Sequence, residues 1–441
     1  MKDSNVEIEI KKIGINGEGI GYYNKNVVFI PNSLPGELVL VHNMENKGSF
    51  YTAEVSKIIR KSKDRINPPC KMYNKCQVCS IMPLNYEKQI EAKKTLLLDS
   101  IYKYSKKRLR IDEVIKSENN IGYRNTIKLP FFNLKDKLAI GLHKRDTNHY
   151  IYLNDCIIQE PQINKTIDSV LSILDEYRYR AYDKKTKIGL RYLIVRSFNK
   201  EVMITFVVGK NTKIVDEALD KIEQIKNIIS INITTNTKNR NEIIVEPIKN
   251  LRGKKSINAK YNDFEFKLSP ESFMQLNTEQ AIKMYDKIKS YLGKNNKLVL
   301  DLYSGVGSIT NYVAECTEKI VGIELSKAAT KDAKENARKH RIENAEFVAG
   351  DVDDVIKRYA KNKNIDAIIV DPPRVGLSEF TIESIVKSKS KKLIYVSCNP
   401  STLGKDLSIL LDYYDVRSTT LIDMFPHTMH VETAMLLIRK K

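Results

Sequence analysis

Two hydrophobic periods divide the chain. Over residues 1–59 short runs alternate apolar and polar positions: VEIEIKKI, NVVFI, ELVLVHNM and YTAEVSKII, separated by GINGEGIGYY and PNSLPGE. A period of two marks half-buried strands, and clusters of Gly and Pro mark the turns between them. So many short strands in so few residues predict a small β-barrel. KSKDRINPPC then reads as a basic linker. Residues 84–110 hold no Gly or Pro and predict one helix with a basic end, its lysines on a solvated face. Across 116–260 strand-like runs (NTIKLPFF, KLAIGLH, RYLIVRSF, VMITFVV, NIISINITT, EIIVEPI) mix with helical segments near 161–178 and 213–227, an α+β pattern. From about residue 266 strands and helices alternate regularly: KLVLDLY, KIVGIE, AEFVAGD, IDAIIVDPP, KKLIYVSC and VETAMLLI head successive units. That alternation predicts a doubly wound, Rossmann-like α/β sheet. The expected class is thus α/β and β, with a barrel, an α+β middle and a doubly wound C-terminal domain.

Charge separates the same regions. The 441 residues carry a net charge of +20, but residues 1–260 hold 47 Lys and Arg against 29 Asp and Glu, and residues 261–441 hold 27 against 25. A proteome-wide bias towards lysine would raise both parts alike. The asymmetry instead fits a front portion that holds a polyanion and a C-terminal portion that does chemistry, so nucleic acid is the expected partner. No run of 18 apolar residues is present, and MKDSNVEIEI opens polar. A cytoplasmic protein with no membrane association is expected. Six cysteines in a chain of this length are not a disulfide framework, and clustered ones suggest a metal.

The C-terminal strand ends carry the chemistry. In open α/β sheets ligands bind beyond the carboxyl ends of the strands. DLYSGVGSI reads as a strand, a Gly turn with Gly305 and Gly307, and a helix start, which lets the backbone approach a ligand. It lacks the third glycine of a dinucleotide fingerprint and the P-loop lysine. Glu324, ending KIVGIE, stands where an acid holds ribose hydroxyls, and Asp351, ending AEFVAGD, is placed to meet an adenine amino group. With no evident pyrophosphate site, the set suits S-adenosylmethionine. Asp371 in DPPR is placed to position cofactor or base. Arg374 occupies the place where amino-group methyltransferases keep an aromatic residue, which argues against N-methylation.

Cys398, ending KKLIYVSC, and Glu432, before the last strand-like run, make a nucleophile and a base. C5 of uracil is a poor nucleophile until a thiolate adds at C6. The C5 proton must then be removed before the thiolate can leave. One Cys with one Glu fits that chemistry. Cys70-x5-Cys76-x2-Cys79, with Cys156 far along the chain, offers four thiolates for an iron–sulfur cluster or a structural zinc. Cys316 fits no constellation and reads as packing.

These stretches together resemble the RNA uracil-C5 methyltransferase family, in particular its ribosomal-RNA branch with an N-terminal TRAM domain and an iron–sulfur cluster. The likeness runs through the TRAM-like 1–59, the cysteines, GYRN at 122–125, ESFMQLN at 271–277, DLYSGVG, DPPR, VSCNPSTLGKDL and DMFPHTMHVETA. It implies Cys398 as nucleophile and Glu432 as base. It implies Gln275, Tyr303, Glu324 and Asp371 as S-adenosylmethionine contacts, with Ser308 and Asp351 beside them. It further implies a 4Fe–4S cluster on Cys70, Cys76, Cys79 and Cys156. One residue departs from the family pattern: Val78 replaces the usual glycine before the third cysteine. The resemblance also implies a discontinuous catalytic domain, 84–115 with 261–441, around a central domain of 60–83 and 116–260. The expected protein is a monomeric enzyme acting on 23S ribosomal RNA. A second reading moves the chemistry to transfer RNA. A third is a non-catalytic RNA-binding protein with a degenerate methyltransferase domain, against which the intact Cys398, Glu432, Gln275 and Asp371 stand.

Overall fold

The computed structural model describes residues 6–76, 78–143, 149–153, 155–238, 242–360 and 364–441. The first five residues of the 1–59 unit lie outside that set. The N-terminal unit is a six-stranded sheet. Val6–Glu9 pairs with Leu38–Asn46, and Lys12–Ile13 pairs with Gly19–Tyr23, so the two ends of the sheet are halves of one bent stretch. Its interior is Ile8, Ile10, Val28, Ile30, Val39, Val41 and Ala53. Gly19–Tyr23 had read as turn from its glycines, yet it is a strand. A Cβ at Gly21 would lie 2.2 Å from Ile8 Cγ2, and one at Gly19 would lie 2.1 Å from Ser33 Oγ. The glycines there permit close approach within the sheet rather than breaking it.

The middle of the chain forms a seven-stranded sheet with helices Pro161–Glu176 and Asp216–Glu223 packed on one core. EIIVEPI is not a strand; the edge strand is Lys249–Gly253, immediately after it. Pro247 in that run cannot donate to a ladder, which disfavours pairing along it.

The C-terminal part is an eight-stranded sheet. Five strands (Asn296–Leu302, Thr317–Glu324, Ala345–Ala349, Ala367–Val370 and Lys392–Ser397) run parallel. Next to them Glu432–Arg439 runs antiparallel, followed by Tyr414–Ile422 and then Glu113–Ile115 at the edge. That edge strand comes from far earlier in the sequence, as does the helix Tyr86–Ser105. Leu97 and Ile101 of this helix join the core on one sheet face with Leu403, Leu407 and Leu410 of helix Pro400–Leu410. The other face is covered by helix Thr278–Leu292 and the hairpin Ile257–Tyr261/Phe264–Leu268. No helix among the described residues is long and apolar enough to cross a membrane.

Helix Tyr86–Ser105 starts with Asn85, whose side chain accepts from Lys88 N–H, and ends at Lys106 in the left-handed region. It is therefore shorter than the predicted 84–110. Its lysines are not uniformly solvated: Lys93 is fully buried. The helix meets Pro400–Leu410 at Gly404, where a Cβ would come within 2.7 Å of Ser100 O. Gly404→Ala should push the two helices apart and destabilise the protein by about 1–3 kcal/mol, the usual cost of overpacking. Urea unfolding of the variant would check this, and an unchanged midpoint would contradict the close approach.

Candidate active site

Every parallel strand of the sheet ends on the same edge, and four of the residues singled out in the sequence stand there. Glu324 is the last residue of its strand, while Tyr303, Asp371 and Cys398 each follow the last residue of theirs. Ser397 pairs with Thr433 in the antiparallel register, which sets Cys398 opposite Glu432 at the first position of its strand. A strand end and a strand start thus bring the thiol and the carboxylate to one edge.

The turn after Leu302 is built for close approach. Tyr303 has φ +66°, Gly305 φ +55° and Gly307 φ +71°. A Cβ at Gly305 would meet nothing within 4 Å, whereas one at Gly307 would strike Phe347 and Ala333. Gly305 therefore borders open space where a ligand can lie, and Gly307 is required by packing. Glu324 Oε2 accepts from the Gly305 N–H (3.0 Å) and Oε1 from the Ser326 N–H (2.7 Å), which ties the acid to the Gly turn. Ser308 begins helix Ser308–Val313 and its Oγ accepts from Tyr285 OH at 3.1 Å. Asp351 is exposed, with Oδ1 accepting from the Asp353 N–H. Gln275 is half-buried; its backbone carbonyl accepts from Asn125 Nδ2 at 2.9 Å.

Burial and crowding of acids set the electrostatics. Glu432 is 2% exposed and its Oε1 has no hydrogen-bond partner. Burial first, and then the neighbouring Asp371, hold its carboxyl well above the usual range, with Arg374 opposing. Burial also pushes Asp371 up to about 6. Cys398 is half-buried, and its thiol is pushed up to about 11 by burial, then by Glu432 and Asp371, with Arg374 opposing. Arg374 is held in place from the cysteine loop, since its carbonyl accepts from Asn399 Nδ2 at 2.8 Å.

Two residues had not been assigned a role from sequence. Asp301, inside DLYSGVG, is fully buried; one oxygen accepts from Thr310 Oγ1 and the other has no partner. Burial is the main cause that raises it to about 7. Asn125 of GYRN binds three points of the 275–278 stretch: Gln275 O, Thr278 Oγ1 and, through its N–H, Leu276 O. The motif string GYRN carried that signal without revealing its target.

Cys70, Cys76, Cys79 and Cys156 line one cavity, with Tyr73, Met82 and Ile158 among its walls. No set of three His, Cys, Asp or Glu side chains able to hold a metal ion is formed among the described residues. Val78, also at this cavity, is 45% exposed. Cys316 is buried packing, as its isolation in the sequence implied.

A doubly wound sheet with a Gly turn and acids at its ligand edge, joined to an N-terminal β unit, fits the class of S-adenosylmethionine-dependent methyltransferases. The comparisons agree. The sequence model of the tRNA (uracil-5-)-methyltransferase family matches residues 85–440, and that of the TRAM domain matches residues 1–53. The chain belongs to the tRNA (uracil-5-)-methyltransferase family. An uncharacterized RNA methyltransferase of Streptococcus pneumoniae is 32% identical over 442 residues, spanning 99% of this chain and 98% of its own. One from Listeria innocua is 34% identical over 444 residues, spanning 98% and 97%. The crystal structure of Pyrococcus abyssi tRNA (uracil-54, C5)-methyltransferase in complex with S-adenosyl-L-homocysteine is similar with a TM-score of 0.77 and 26% identity, over 98% of this chain and 100% of that one.

Alkylation of Cys398 by iodoacetamide, followed by mass mapping of its peptide against pH, should titrate near 11 rather than at the ordinary 9. Asp371→Asn removes a negative neighbour and should bring that midpoint down. The same midpoint in both proteins would mean that Asp371 exerts no field on the thiol.

Proposed function

We propose that this enzyme methylates C5 of a uridine in structured RNA, with 23S ribosomal RNA as substrate, through a covalent bond from Cys398 to C6. The observation that carries the reading is the juxtaposition of a half-exposed thiol and a buried carboxylate with an unpartnered oxygen across one strand register. Cys398 Sγ adds to C6, which places the electron pair on C5 and O4 and makes C5 nucleophilic. Glu432 takes the C5 proton from the methylated adduct; the C5–C6 double bond re-forms and the thiolate leaves. Burial raises its pKa, so it is a stronger base than a carboxylate in water once a positive charge nearby has ionised it. S-adenosylmethionine, when bound, supplies an electrophilic methyl and a positive charge that favours ionisation of Cys398, Asp371 and Glu432. Tyr303, Glu324, Asp371, Gln275, Ser308 and Asp351 are the residues proposed to hold it. The open space beside Gly305, and the carboxylate of Glu324 bound to that turn, suit a close-lying nucleoside.

The proposed organisation is a TRAM unit over 1–59, a central domain of 60–83 with 116–260, and a catalytic domain of 84–115 with 261–441. The edge strand Glu113–Ile115 and the packing of Tyr86–Ser105 on Pro400–Leu410 support joining 84–115 to the C-terminal sheet. Transfer RNA is the second reading, favoured by the likeness to the archaeal tRNA enzyme over 98% of the chain. Incubating the enzyme with each RNA and mapping 5-methyluridine by mass spectrometry decides between them. Cys398→Ala should abolish methyl transfer while RNA binding persists, and Glu432→Gln should accumulate a covalent protein–RNA complex. Ready turnover by Cys398→Ala would sink the covalent mechanism. A catalytically inert RNA-binding protein is not supported, because the residues the chemistry needs are all present.

Four cysteines line one cavity, the number of thiolates a 4Fe–4S cluster takes. Such a cluster spreads its four thiolates around a volume, whereas a zinc ion draws them to a point at about 2.3 Å each. We propose the cluster on the number of cysteines lining the cavity, while no group of three side chains able to hold a metal ion is formed among the described residues. Protein purified without oxygen should contain iron that is lost in Cys76→Ser or Cys79→Ser. Zinc in place of iron on elemental analysis would reject the assignment.

A further inference from the structure

Residues 423–431 connect strand Tyr414–Ile422 to strand Glu432–Arg439, so Glu432 is the first residue beyond this connection. Four consecutive carbonyls in it are each held by a different part of the chain. Met424 O accepts from Asn277 Nδ2 at 3.1 Å, and Phe425 O accepts from Lys93 Nζ at 2.9 Å. Pro426 O accepts from Tyr123 OH at 3.1 Å, and His427 O accepts from the Ile81 N–H at 3.1 Å. His427 itself has φ +69°, and its N–H donates to Gln89 Oε1 at 3.0 Å. At the start of the connection Asp423 forms an ion pair with Lys93 and accepts from Tyr86 OH at 2.8 Å.

Lys93 is 0% exposed and Asp423 1%. Burial pulls the Lys93 ammonium down in pKa, with Asp423 opposing. Replacing a buried ion pair by apolar side chains is often neutral or stabilising, so stability alone is a weak reason for its presence. Its position supplies a better one. Glu432 Oε1 has no hydrogen bond to set its direction. The aim of that carboxylate therefore depends on the backbone beneath it, and the backbone on one side of it is the connection that Lys93 and Asp423 pin.

We infer that the buried Lys93–Asp423 pair is a positioning device for proton removal: it holds the 423–431 connection so that Glu432 is aimed at C5 of the adduct. The inference rests on the reading of Glu432 as the base. Lys93 and Asp423 are positioning residues and touch no reacting atom. Methyl transfer to C5 depends on Cys398 on the neighbouring strand, and so should be less sensitive to the pair than the deprotonation that follows.

The test uses the full-length protein. Lys93→Met with Asp423→Asn removes both charges together and keeps similar volumes, leaving no lone buried ion. This double variant should stay folded and keep its affinity for RNA, with a urea unfolding midpoint lowered modestly because Phe425 O loses the Lys93 donor. Its kcat should fall about tenfold or more, since small misplacements of a catalytic group are costly. Covalent protein–RNA complex should accumulate on denaturing gels, as in Glu432→Gln. A purely structural role would leave the folded double variant turning over like wild type without adduct, and that result overturns the inference. Should the double variant fail to fold, Tyr86→Phe removes one hydrogen bond onto Asp423 without touching either charge. It should lower kcat in the same direction with visible adduct, and wild-type turnover there overturns the inference equally. Glu432→Gln run in parallel separates the two failures. If it turns over normally, the reading of Glu432 as base falls; if it accumulates adduct while the pair variants do not, only the positioning role falls.

Discussion

One strand running against seven others decides where this enzyme can do chemistry. Parallel strands deliver their carboxyl ends to one edge, so the residues that follow them gather there. Glu432–Arg439 is antiparallel to both neighbours and so brings its amino end to that same edge. A carboxylate at the start of one strand thereby faces a thiol at the end of the next. In a sheet with every strand parallel, a residue at a strand start would lie on the opposite edge, a strand length away. The reversed strand is flanked by Lys392–Ser397 and Tyr414–Ile422, and the distant Glu113–Ile115 covers the outer side of Tyr414–Ile422.

The front of the chain serves the site as well as any RNA. Helix Tyr86–Ser105, the cysteine loop, GYRN and the 271–277 stretch converge on the connection before Glu432, and each supplies a hydrogen-bond donor. Buried carbonyls demand donors, and an unmade bond there costs about 1–3 kcal/mol. A loop satisfied from four directions has few alternative conformations available. The same contacts place the cysteine cavity next to the catalytic edge: Phe425 packs against the cluster of side chains that includes Cys70, Cys79 and Cys156. Three of these four donors, from Ile81, Lys93 and Tyr123, lie within the basic residues 1–260, and the fourth, Asn277, lies just beyond them.

Much of this was legible in the sequence, and the failures have physical causes. The inner parallel strands read clearly because they are buried on both faces and carry apolar runs such as LVL, AIIV and LIYV. Tyr414–Ile422 escaped notice because its inner positions include Thr419 and Thr420, which are buried yet polar. Glu113–Ile115 is only three residues long and exists as a strand only because its partner does. Gly19–Tyr23 was misread because glycine signals both turns and close packing, and only the neighbouring Ile8 and Ser33 distinguish them. Cys398 and Glu432 were singled out because ligands lie at strand ends in this architecture, and the structure places both at that edge. Lys93 could not be found: in a helix with many lysines, which one turns inward depends on Asp423, 330 positions away. A pattern within the helix holds no record of a partner on another strand.

The ligand edge collects acids that strain one another. Asp301, Asp371 and Glu432 all hold their protons more tightly than in water, and Cys398 does so too. Burial is the first cause in each case, and mutual repulsion adds to it. In that state burial and the neighbouring acids oppose the ionised form of both the proposed nucleophile, Cys398, and the proposed base, Glu432. The physical remedy is positive charge brought close, which favours the ionised form of every one of these groups. Arg374 already acts in that sense on Cys398 and Glu432, but burial and the acids outweigh it. A cationic cofactor at this edge would gain favourable interaction with all four groups and would ionise them as it bound. Its neutral product, having lost the methyl and the charge together, would lose the same interactions. On the proposed reading of this edge as the cofactor site, charge alone would favour the donor over the product.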